Sequence, residues 1–132
     1  MGIQEEKQAI QQLLTAYADT LNTANIPLIH LFYTSDGLFM AADTKTFTTL
    51  DLSTRNNGSY LKRTKFHIDF TVHDIALDTR YAFVQATAVA TTHDPVNGQQ
   101  SIQSRDFFVL RKEAKAWKIY RYMFNYDEDH PK

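Results

Sequence analysis

The residue best suited to chemistry is Asp106, in the phrase RDFFVL. On a strand it shares a face with Phe108 and Leu110 while Arg105 points the other way. If that face is interior, desolvation raises the carboxyl pKa and makes the group a neutral hydrogen-bond donor or a general acid. The competing placements are a pair with an arginine such as Arg121, or the outer face. Tyr17 is the second candidate. It is a phenol on an apolar stripe, read either as plain core with its hydroxyl satisfied by a neighbour or as a donor lining a pocket. The five histidines, His30, His67, His73, His93 and His130, show no metal-ligand spacing, so no metal is expected. His67 and Asp69 share a strand face and read as an exposed pair. The chain has no cysteine, which removes disulfides, thiolate metal sites and thiol nucleophiles together. It also lacks a G-x-S-x-G elbow, a P-loop and a Rossmann fingerprint, so nucleophilic hydrolysis and nucleotide binding have no support.

The elements that must position these groups follow from periodicity. Ile10, Leu13, Leu14, Tyr17 and Leu21 form one stripe on a 3.6-residue helix, expected over residues 3–21. Asn25 is a candidate N-cap for a short second helix, with Pro27 in its first turn and Leu28, Leu31 and Phe32 as its buried face. Residues 34–37 read as a turn and residues 38–40 as the first strand. Residues 43–65 are the least legible. A short edge strand at 46–49 and a third helix over 51–65, interrupted by Asn56-Asn57-Gly58, are the readings. The basic cluster of Arg55, Lys62, Arg63 and Lys65 is read as a solvated face in preference to an anion site. From Phe66 the period becomes two, and its parity slips after Val72, which implies a bulge near His73-Asp74. A turn at 78–80, a strand over 81–92, an Asn-Gly loop at 94–98, a strand over about 101–112, a turn at 113–115 and a last strand over 117–126 complete a meander. The acidic tail, 127–132, is expected to fray.

The 132 residues are 43% hydrophobic and 22% charged with a net charge of −1, the profile of one globular domain spanning 1–132. That balance offers no footprint for nucleic acid. No window approaches the ~20 apolar residues of a membrane span. The N-terminal MGIQEEKQAI has no secretory core, and Glu6 stands where a myristoylation motif wants Ser or Thr, so a cytoplasmic location is expected.

The order of elements and two phrases, AYADTLNTANIPLIHLFYTSDGLFM at residues 16–40 and WKIYRYMFN at 117–125, resemble the NTF2-like (cystatin-like α+β cone) superfamily, in its SnoaL-like branch. The resemblance implies an α+β cone with two to three N-terminal helices packed on a strongly bent, mostly antiparallel sheet. That superfamily includes isomerases, dehydratases, cyclases, epoxide hydrolases and non-catalytic association domains, so fold does not settle reaction. Against the ketosteroid isomerases, Tyr17 matches the helix-1 oxyanion donor and Asp106 the protonated strand donor. The position of their general base is Ala41. Asp43, two residues on, could serve only with a shifted geometry.

Two faces remain to be assigned. The closing strand carries Tyr120, Tyr122, Phe124 and Tyr126 on one parity and Trp117, Ile119, Arg121, Met123 and Asn125 on the other. The resemblance puts Tyr120, Tyr122 and Phe124 inside, and a bulge would instead bring in Arg121 and Asn125. In the strand over 81–92, Gln85 and Thr87 are expected inside, leaving Ala82, Val84, Ala86, Ala88 and Ala90 as a flat, uncharged outer face for a homodimer. The leading expectation is a cofactor-free pocket for a small apolar or aromatic molecule, with isomerase-, cyclase- or dehydratase-type acid–base chemistry at Tyr17 and Asp106. Its expected ligand contacts are Phe32, Phe39, Asp43, Gln85, Thr87, Phe108, Tyr120, Tyr122 and Asn125. The alternative is a non-catalytic, homodimeric association module with a filled cone.

Overall fold

The computed structural model describes residues 2–54 and 58–127. Helix α1 runs Ile3–Asn22; of the expected stripe it buries Ile10, Leu14 and Tyr17, with Leu13 and Leu21 partly buried, and it buries Ala18 as well. Asn22 fastens its end to the sheet, with the side chain donating to the Ile68 carbonyl at 3.0 Å and accepting the Ile68 amide at 2.8 Å. A 3-10 helix follows at Ile26–Phe32, and here the expectation changes. Three residues per turn align Ile26, Ile29 and Phe32 on the inner side, whereas Leu28 and Leu31 are exposed. Asn25 occupies the cap position but makes no side-chain cap bond.

One six-stranded sheet receives these helices, in the order β2-β1-β6-β5-β4-β3. Its strands are β1 Tyr33–Met40, β2 Thr46–Thr48, β3 His67–Leu77, β4 Tyr81–Asp94, β5 Gly98–Glu113 and β6 Ala116–Tyr126. The β1–β6 pair is parallel and the others are antiparallel. The chain is therefore α+β, as the resemblance implies. Helices α2 (Thr49–Thr54) and α3 (Ser59–Arg63) bridge β2 to β3. Arg55, Asn56, Asn57 and the tail from Glu128 lie outside the described residues. Among the described residues no helix is long and apolar enough to cross a membrane.

Three irregularities interrupt the strand pairing. The register of β3 shifts between Val72 and Asp74, the bulge that the parity slip implies. A second shift lies opposite Tyr120, where Val109 pairs with Arg121 but Leu110 with Ile119. The third is in β1. Residues 34–37 are not a free turn but an irregular part of that strand. The Thr49 hydroxyl donates to the Thr34 carbonyl at 2.6 Å and so satisfies backbone that the bulge leaves unpaired.

The faces of β4 are the reverse of the expectation. Ala82, Val84, Ala86 and Ala88 are buried inside, while Phe83 and Val89 are exposed and Gln85 and Thr87 share their outer face. Small residues inside β4 leave room for the rings that cross the interior from neighbouring strands, Phe70, Phe108 and Tyr122. A dimer through the alanine face is thereby excluded.

Candidate functional site

Strand period two carries β5 inward at Leu110, Phe108, Asp106 and Ser104, all buried. Asp106 retains 3% of its surface. The Ser104 hydroxyl donates to its Oδ1 at 2.7 Å and the Tyr122 hydroxyl to its Oδ2 at 2.5 Å. Tyr122 sits opposite Phe108 in the β5–β6 register, stacks on it with ring centroids 4.0 Å apart, and so reaches Asp106 diagonally. From the other wall α1 delivers Tyr17, whose hydroxyl is 2.8 Å from that of Tyr33 at the start of β1. The Tyr17 and Tyr122 rings meet edge to face at 6.1 Å.

Burial sets the electrostatics. Desolvation raises the Asp106 pKa above the ordinary carboxylate value, against the opposing pull of the Tyr122 and Ser104 hydroxyls. Desolvation likewise pushes Tyr17, Tyr33 and Tyr122 up, and a charge on Asp106 adds to the effect on Tyr17 and Tyr122. The phenols therefore stay protonated donors. Asp106 is the one of the four whose proton is not held by a phenol, and burial makes it harder to ionise than an ordinary carboxyl.

Asp106, Ser104, Tyr17 and Tyr122 line a cavity of about 460 Å³, with Tyr33 behind Tyr17. Phe39, Phe66 and Phe124 line it with them, and its exposed lining residues, Tyr60 and Gln100, mark the mouth. Along the inner face of β5 exposure increases from Asp106 through Ile102 to Gln100, so the acid lies at the closed end. Among the described lining residues Asp106 is the one carboxylate, and none is Lys, Arg or His.

The SnoaL-like domain family matches residues 10–124. The chain belongs to that family. Solved structures with the same fold include a ketosteroid isomerase-like protein from Erwinia carotovora atroseptica, 24% identical, with a TM-score of 0.73 over 92% of this chain and 96% of that one. An NTF2-like protein with a cystatin-like fold from Novosphingobium aromaticivorans superposes with a TM-score of 0.84 at 11% identity, covering 96% and 85%. A protein from Xanthomonas campestris described as a calcium/calmodulin dependent protein kinase II association domain gives 0.72 at 18% identity, covering 91% and 86%. No curated protein matches the sequence.

Of the residues expected in this SnoaL-like site, the structure brings four to the cavity wall: Tyr17, Asp106, Phe39 and Tyr122. Phe108 and Phe32 stand behind that wall, backing Tyr122 and Tyr17 respectively. Five lie elsewhere. Asp43 is exposed, at φ 61° in the β1–β2 turn, because β1 ends at Met40. Gln85 and Thr87 are on the outer sheet face, where Thr87 meets the His73 ring at 2.9 Å. Asn125 is also outside and accepts a hydrogen bond from Arg105 at 3.1 Å. Tyr120 is turned out by the β6 bulge and lies between the guanidinium groups of Arg111 and Arg121, at 4.6 and 3.8 Å. The parity of β6 thus switches within the strand: Trp117 and Ile119 point in, then Tyr122 and Phe124.

Two residues of this hydrogen-bonded cluster, Ser104 and Tyr33, are missing from the sequence-based expectations. Ser104 was findable, since it shares the parity of Asp106. Tyr33 was not, because the residues after it read as a turn and gave it no face. Ala41, the position of the isomerase base, follows β1 half-buried and is not a lining residue. Elsewhere, Glu6 is nearly buried in a clasp that receives the Lys112 ammonium and, at 3.3 Å, the Trp117 indole N–H. His67 and Asp69 form an exposed pair at 3.2 Å.

Proposed function

We propose that this SnoaL-like protein binds a small, largely apolar molecule in its cavity, with the molecule's polar group at Asp106 and Tyr122. The supporting observation is a buried, protonatable carboxyl held by two hydroxyls on the wall of an aromatic cavity. Such a constellation suits cofactor-free acid–base chemistry of the isomerase, cyclase or dehydratase type, with Asp106 exchanging the proton and Tyr17 and Tyr122 donating to developing negative charge. A ketosteroid isomerase cycle with its own separate base is not part of this proposal, since that base's position is Ala41. The test is a ligand-binding and turnover screen with polyketide-like and terpenoid compounds on wild type, Asp106→Asn and Tyr17→Phe. Saturable binding, and turnover reduced at least about a hundredfold by Asp106→Asn, is expected. A wild-type protein that neither binds nor converts any such compound refutes the proposal.

A second reading has its own observation. On the outer sheet face Phe83 and Phe107 stack at 6.4 Å, each 43% exposed, with Val89 and Met123 also exposed. A patch of that kind supports a homodimer through this face, and the likeness to a kinase association domain fits the same reading. Light scattering is expected to show a dimer that Phe107→Lys dissociates. A monomeric wild type at micromolar concentration removes the reading.

A further inference from the structure

The charge of the ligand follows from the way Asp106 is held. An ionised carboxylate offers about four lone-pair sites. Ser104 and Tyr122 fill two of them, one on each oxygen. Two acceptor sites remain, and Asp106 lines the cavity. The basic residues of β5 are committed elsewhere. Arg105 points outward to Asn125, Arg111 binds Asp36 and Glu113, and Lys112 binds Glu6. The groups that face Asp106 from the packed elements carry no charge: Tyr17 on α1, Ala86 on β4, Ser104 on β5, and Tyr122 and Phe124 on β6.

Beside the carboxyl stand aromatic rings. Tyr122 lies 5.3 Å from Phe39, 5.8 Å from Phe124 and 6.1 Å from Tyr17, centroid to centroid. Ring faces carry negative potential and attract cations within about 6 Å, the more so when water is excluded. A carboxylate with spare lone pairs on the wall of an aromatic cavity suits a positive charge. A neutral ketone or alcohol gains no ion pair with the ionised carboxyl, and a carboxylate ligand is repelled by it.

We propose that the cavity selects a lipophilic amine, its ammonium group held between Asp106 and the Tyr122, Phe39 and Phe124 rings and its apolar body directed toward the mouth. This rests on the cavity being the ligand site. When the free amine enters, the carboxyl proton of Asp106 passes to the nitrogen and leaves an ion pair. When the ammonium ion enters, that proton leaves to solvent.

Naphthylmethylamine, naphthylmethanol and naphthoate share one aromatic body and differ in charge, and calorimetry on wild type and Asp106→Asn compares them. The amine is expected to bind wild type at least roughly tenfold more tightly than the alcohol, with naphthoate weakest. Asp106→Asn should bring amine and alcohol to within about threefold of each other. Amine affinity should fall as pH is lowered through the raised pKa of Asp106, where the carboxyl takes up its proton, while alcohol affinity stays level. Alcohol equal to or tighter than amine on wild type, or naphthoate tightest, overturns the inference and leaves the cavity a ligand site. Failure of all three to bind wild type overturns both. The wild-type comparison decides the matter even if Asp106→Asn does not fold.

Discussion

Replacing Asp106 by Asn tests the electrostatics of the site without any ligand. The amide has nearly the shape of the carboxyl, and a protonated carboxyl and an amide each give the Ser104 and Tyr122 hydroxyls both a donor and an acceptor. Below the ordinary carboxylate range the two proteins should therefore differ by no more than about 1 kcal/mol, the net worth of one exchanged hydrogen bond. Above it they diverge. A carboxyl whose folded pKa is raised above its unfolded value of ~3.9 contributes stability that is complete below that value and lost as pH rises through the folded pKa. Asp106 is such a group, raised chiefly by burial. Each unit of the rise costs wild type about 1.4 kcal/mol at neutral pH, a cost that the amide avoids. Urea unfolding of both proteins from about pH 4 to 8 gives the difference directly. The stability of Asp106→Asn minus that of wild type should increase with pH and level off above the folded pKa. Subtraction cancels the carboxylates that the two proteins share, Glu6, Asp36, Asp51, Asp78 and Asp94, all of which are shifted the other way. A difference that is flat or falls with pH refutes the reasoning: the two hydroxyls would then outweigh burial, and Asp106 would sit in the cavity as a permanent anion.

Three further outcomes are expected. Ala90 lines the cavity, so Ala90→Phe should fill it and abolish ligand binding, with the circular dichroism spectrum unchanged and a loss of about 1–3 kcal/mol from overpacking in urea. At Gly58 an added Cβ would come within 2.2 Å of the Ala24 carbonyl oxygen, so Gly58→Ala should lower stability by about 1–3 kcal/mol in the same assay. Asp36 is pulled down to about 2, first by the Arg111 guanidinium and then by the Thr34 hydroxyl. Its contribution is present above ~3.9 and lost as pH falls through the lowered value, so Arg111→Met should move acid unfolding to higher pH, as followed by tryptophan fluorescence.

The fold was legible where one period dominates. The stripe of α1 has a single apolar side, and the parity slip at His73-Asp74 marks its bulge within the residue pattern itself. The faces of β4 were not legible, because both sets of residues are uncharged. Which set is inside depends on the bulk of Phe70, Phe108 and Tyr122 across the interior, which β4 itself does not encode. Tyr120 turned outward for a similar reason: the bulge that expels it is a relation between β5 and β6, without a glycine or a proline to announce it. The 3-10 helix misled because its period of three replaced the expected 3.6. Asp106 and Tyr17 were legible, being polar atoms within strongly apolar patterns. Their partners were harder to see, Tyr33 behind an apparent turn and Glu6 within an ordinary charged first turn.

The parallel pairing of β1 with β6 also bears on when the cavity exists during folding. Strands β3 to β6 are joined by successive hairpins and can zip from neighbour to neighbour. Tyr33, in contrast, must find Ile119, closing a loop that spans most of the chain and carries the largest entropic cost of any strand pairing in the sheet. Phe39 reaches its place only through that pairing, while Tyr122 and Phe124 arrive on the strand that completes it. A nascent sheet without it would expose the inner rings of β3 and β5 to water, so the same step that creates the binding chamber also conceals the molecule's stickiest surface.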